Sequence, residues 1–82
     1  MFYVYILYSS ILGKFYTGQT QDLQKRLAEH NRGKTSYMAR GKPWQLIYSQ
    51  ELNSRAEAMK LEKQIKKRGA KRYLMDLNII PG

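Results

Sequence analysis

Two side chains able to do chemistry stand where hydrophobic patterning would assign an apolar residue: His30, the chain's one histidine, and Glu62. Leu23 and Leu27, spaced i and i+4, mark the packed face of a helix. At about 100° per residue His30 falls nearly in line with Leu23, and Arg26 lies roughly 60° to one side. Glu62 likewise falls within the arc of Ala58, Leu61 and Ile65 on a later helix, with Met59 at the far edge. A carboxylate without a partner is costly to bury, so such a residue is normally paired, protonated or bound to a metal. The plainer reading of Glu62 is a rim residue that reaches solvent or pairs with a neighbouring lysine. For His30 it is a hydrogen-bonded histidine beside the core. Phenols are the third group: seven tyrosines, of which Tyr3, Tyr5 and Tyr16 cluster near the start. A phenol can bond a phosphate, orient a water or act as a base, although an ordinary pKa of about 10 requires activation for that last role. Strands also favour tyrosine for packing alone.

The elements that must position these groups follow from local pattern. Phe2 to Ser9 is β-branched and aromatic, a largely buried strand in which Tyr3, Tyr5 and Leu7 share one face and Val4 and Ile6 the other. Ser9, Ser10 and Gly13 supply turn chemistry before a second strand at Lys14 to Gln19, giving a hairpin. Thr20 is the expected cap of a helix from Gln21 to Arg32, with Gly33 beyond its end. Asn31 to Pro43 reads as a basic loop, with room for one helical turn. Trp44 to Gln50 alternates as a third strand, with Trp44, Leu46 and Tyr48 on one face. Ser54 and Glu57 fit a capping box that opens a helix to Arg68, stopped by Gly69. A last helix, Lys71 to Leu77, packs through Leu74 and Leu77. The expected architecture is an α/β domain of the α+β type, 1–82, in which a three-stranded antiparallel sheet is flanked by helices in the order β-β-α-β-α-α.

Composition narrows the partner. Fifteen Lys and Arg against six Asp and Glu leave a net charge of +9 on 82 residues, a field that attracts polyanions. Nucleic acid is the expected partner. An anionic membrane surface is the rival, but it calls for a basic amphipathic helix with exposed bulky apolar residues, which the pattern does not show. With no cysteine, disulfides, thiolate metal sites and cysteine nucleophiles are excluded. The uncharged opening stretch is too short to span a bilayer, so the chain reads as cytoplasmic.

Taken in order, these residues resemble the GIY-YIG nucleases. The first half-motif is Tyr3-Val4-Tyr5 and the second Tyr16-Thr17-Gly18, with ten residues between them. Gln19 to Leu27 is similar to the helix carrying the family's arginine, here Arg26, and His30 falls four residues later, where the family has His or Tyr. Ser54 to Glu62 resembles the closing helix with its metal-binding glutamate. The likeness reaches to about residue 77 and is closest to the small stand-alone members.

The resemblance implies a metal-dependent endonuclease acting on DNA, structure-selective or weakly selective, with five side chains around one phosphate. Tyr5 and Tyr16 would position or deprotonate the attacking water. Arg26 would bind the scissile phosphate, and His30 would bond it or relay a proton. Glu62 would hold one hard cation, Mg²⁺ or Mn²⁺, completed by waters and substrate. Arg32, Lys34, Arg40 and Lys42 in the loop, with Lys63, Lys66 and Lys67 on the later helix, are candidate nucleic-acid contacts. Tyr3 replaces the family's opening glycine and Thr17 an aliphatic residue, neither with a catalytic role. Gln19 stands where repair members carry a lysine that can lower the tyrosine's pKa. A neutral amide cannot do this, which points to weak catalysis or to a cation from elsewhere, such as Lys14. A binding module for DNA or RNA with little turnover is the alternative.

Overall fold

In the computed structural model, which describes residues 1–81, the order is β1 (Phe2–Ser9), β2 (Lys14–Thr20), α1 (Leu23–Asn31), α2 (Ser36–Gly41), β3 (Trp44–Leu52), α3 (Arg55–Arg68) and α4 (Ala70–Asp76). The three strands form one antiparallel sheet with β1 in the centre, in the order β2-β1-β3. Both faces of the sheet are covered. Val4 and Ile6 pack with Ala58, Ile65 and Leu74 from α3 and α4. Tyr5 and Leu7 pack with Met38 and Trp44, flanked by Leu23 and Leu27 of α1. That double cover explains the uninterrupted apolar run of β1: Val4 to Leu7 are each no more than 1% exposed. Each such aliphatic side chain contributes roughly 1.5–3 kcal/mol by leaving water.

The hairpin is closed by Ser9, whose Oγ accepts from the Leu12 N–H at 3.1 Å and whose carbonyl accepts from Gly13 N at 2.8 Å. At Gly13, φ is +63°, a region that L side chains rarely adopt. In α3 the Ser54 Oγ accepts from Glu57 N and its hydroxyl donates to Glu57 Oε1, both at 3.1 Å. The glutamate therefore meets the cap's hydroxyl rather than its backbone N–H.

Four expectations change. The cap of α1 is Asp22, whose Oδ1 accepts from Lys25 N at 3.1 Å, while Thr20 Oγ1 bonds Asp22 N in the preceding turn. The helix is accordingly shorter, Leu23–Asn31. The expected loop contains α2, capped by Thr35 through Met38 N at 3.2 Å. In β3 the register slips between Ile6↔Tyr48 and Leu7↔Leu46, so one extra residue, Ile47, bulges out. Alternation restarts beyond it, and Tyr48 packs with the α3–α4 core, opposite Trp44. The last helix is Ala70–Asp76 and excludes Leu77, which is 46% exposed. No helix is long and apolar enough to cross a membrane among the described residues.

Candidate active site

Tyr5 and His30 meet beneath α1. The Tyr5 hydroxyl lies 3.1 Å from His30 Nε2, and His30 Nδ1 lies 2.8 Å from the Met38 sulfur. A thioether only accepts, so Nδ1 carries the proton and Nε2 accepts from the phenol. Burial first, and then the positive charge of Arg26, hold His30 below its ordinary pKa and keep it neutral. Burial also pushes the Tyr5 phenol up to about 12, helped by the neighbouring Tyr16 and by the charge of Glu62. Arg26 pulls the other way through its charge and its hydrogen bonding. Met38 is itself held by α2 and Trp44, whose Nε1 donates to the Met38 carbonyl at 3.0 Å.

Tyr5 faces β2 across the register pair Tyr5↔Gly18. A β-carbon on Gly18 would stand 2.6 Å from the Tyr5 hydroxyl oxygen, so only glycine leaves the phenol its place. Tyr16, two residues earlier and half-buried, sets its ring edge-on to His30 with centroids 4.9 Å apart, and 6.3 Å from Tyr5.

Gln19, paired with Val4, turns to the α3 face of the sheet. Its Nε2 donates to Glu62 Oε1 at 2.9 Å, while Lys66 Nζ sits 2.7 Å from Glu62 Oε2. Both carboxylate oxygens are thus engaged, and the side chain is 18% exposed. Arg26 donates through Nε to Glu29 at 3.2 Å and remains 42% exposed. It lines a cleft of about 350 Å³ with Gln19, Lys25 and Arg55. Glu62 lines an adjoining cleft of about 210 Å³ with Gln19, Lys63 and Lys66.

No single cleft is lined by all five expected residues, although they adjoin one another. Tyr5, Tyr16 and His30 form a cluster on the α1 side of β2. Arg26 and Glu62 open onto two clefts that share Gln19, and the charges of both are felt at Tyr5. Of the basic candidates, Lys63 and Lys66 line the Glu62 cleft, whereas Lys67 lines a separate hollow with Tyr73 and Asp76. Arg32, Lys34, Arg40 and Lys42 are exposed and line neither cleft. Lys14 opens β2 opposite Ser9, at the far end of the strand from Gln19, and the cation acting on Tyr5 is Arg26. Sequence reasoning missed Met38, which fixes the imidazole, and the role of Gln19, which holds the acid.

No group of three or more His, Asp or Glu that could hold an ion comes together among the described residues. Glu62 would be the sole protein ligand. That donor set suits a hard cation that keeps most of its waters, such as Mg²⁺, and not zinc, which takes three or four protein ligands. Lys66, which engages Oε2, is 58% exposed.

Residues 1–75 match the GIY-YIG catalytic domain, and the chain belongs to that family, whose general activity is nuclease action. Within it, the relatives are small proteins of the UPF0213 group. The one from Halobacterium salinarum is 42% identical over 67 residues, covering 80% of this chain and 86% of its own. One from Streptococcus agalactiae is 42% identical over 67 residues, covering 80% and 75%. The solution NMR structure of the Bacillus halodurans UPF0213 protein BH0048 is 35% identical and covers 99% of this chain and 89% of that one, with a TM-score of 0.60.

Proposed function

We propose that the protein is a divalent-metal-dependent endonuclease that hydrolyses phosphodiester bonds in DNA, selecting structure rather than sequence, in the cytoplasm. The observation that supports it most directly is the pairing of the Arg26 and Glu62 clefts across Gln19, beside a buried phenol–imidazole pair. Arg26 binds the scissile phosphate and offsets charge that develops in the transition state. Glu62 would hold the ion, which supplies further positive charge against the phosphate oxygens. Tyr16, the more accessible phenol, orients the attacking water. Tyr5, its proton held by burial, donates to His30 Nε2 and fixes the imidazole against the Tyr16 ring. Lys63 and Lys66 receive neighbouring phosphates.

The test is a cleavage screen over duplex, flap, fork and single-stranded DNA, with an RNA arm, in Mg²⁺ or Mn²⁺. Arg26→Ala and Glu62→Ala are each expected to lower cleavage by about 10²–10³, with binding retained in the latter. Cleavage unchanged by both would remove the assignment. One observation favours a second reading, a nucleic-acid-binding module with little turnover: both Glu62 oxygens are already occupied. Salt-sensitive binding without cleavage in any divalent ion would establish it.

A further inference from the structure

β2 is an edge strand, and three clefts abut it one after another. At its Thr20 end lies the Arg26 cleft, which Lys25 and Arg55 also line, together with Asp22, whose Oδ1 accepts from the Lys25 backbone N–H, and Glu29, which is paired with Arg26. Gln19 leads from there into the Glu62 cleft, and Lys66 leads on into a shallow groove of about 710 Å³ beside Phe15, Tyr16 and Thr17. Lys71 and Arg72 line that groove and are exposed. Arg68 lines it too, but its guanidinium is committed to Asp76 at 2.8 and 3.0 Å. Each hollow thus borders the next at a shared residue, Gln19 and then Lys66, so the three follow one another along the strand. Seven residues at about 3.3 Å each give roughly 23 Å, the length of about seven stacked nucleotides.

We propose that one single-stranded segment of nucleic acid lies along the free edge of β2. Lys71 and Arg72 form a phosphate subsite at one end, and Lys25 and Arg55 form another at the opposite end. The placement of the cleaved bond between them, at Gln19 and Glu62, rests on the nuclease reading; the track itself does not. A single file of cations along one strand edge matches one row of phosphates, and Tyr16 offers a ring on which a base can stack. A duplex would need a second row, and Arg32, Lys34, Arg40 and Lys42 line none of the three clefts.

The experiment is fluorescence anisotropy of a labelled twelve-nucleotide single strand, and of the same sequence as duplex, titrated in EDTA across a salt series. K71E/R72E and K25E/R55E are each expected to weaken single-strand binding about tenfold or more. Each should also shrink the slope of log K against log salt by about 1.4, since each single-strand phosphate contact contributes about 0.7. R40E/K42E makes the same change in net charge and should leave the slope intact. Circular dichroism melts check folding, and the double glutamine variant at the same two positions replaces any variant that fails to fold. Equal losses in all three variants, or duplex bound more tightly than single strand, would overturn the track. Because no ion is present, edge-specific binding without cleavage on any substrate would keep the track and remove the nuclease reading. Cleavage with an unchanged KM in K71E/R72E and K25E/R55E would do the reverse.

Discussion

At Gly18 a single methyl group decides whether the buried phenol can sit where it does. Gly18→Ala brings a carbon to 2.6 Å from the Tyr5 oxygen, and the ring must leave His30. The expected cost is about 1–3 kcal/mol in urea unfolding, with a displaced His30 ring resonance in the NMR spectrum. His30 itself predicts a pH dependence. Its folded pKa lies below the ordinary 6.5, so its contribution to stability is fully present above about pH 6.5 and is lost as pH falls through the folded value. Urea midpoints should be level from about pH 7 to 8 and decline toward about pH 5, and His30→Gln should flatten the decline. Helical arithmetic alone made His30 and Glu62 conspicuous, because a 3.6-residue period places them on packed faces. Their partners were illegible. Met38 lay in a stretch without periodicity, and Gln19 and Glu62 are 43 residues apart, a separation that only the folded chain closes.

Among the elements, the strand cores, the hairpin and α3 were readable because patterning, turn residues and caps agreed. Where two local signals competed, each took a place: Asp22 caps α1, and Thr20 closes the turn before it. The bulge at Ile47 left no mark, since an inserted residue looks like continued alternation until register is known. The α2 segment has only six residues, too few to show a period, and is tied to the rest through Met38, whose carbonyl accepts from Trp44 Nε1 and whose sulfur meets His30 Nδ1. Asn31, the last residue of α1, clasps the backbone of Trp44, accepting from its N–H at 2.6 Å and donating to its carbonyl at 3.3 Å. Asn31→Ala leaves two part-buried backbone groups without these partners. The expected loss is about 1–3 kcal/mol, with protection of the Trp44 amide in hydrogen exchange falling first.

Across the whole molecule, the excess of fifteen cations over six anions sets the response to solution conditions. Lysine and arginine keep their charge well above neutrality, so affinity for a polyanion should fall steeply with salt while changing little between about pH 7 and 9. Anisotropy titrations along both axes check this; a strong pH effect in that range would point to a group other than these cations. The sheet order carries a consequence for how the chain is made. Its innermost strand, β1, is synthesised first, yet it lacks its second neighbour until Leu52 has been added. A chain cut short before Leu52 would leave one flank of β1 unpaired and its Val4–Ile6 face without α3, and is expected to aggregate.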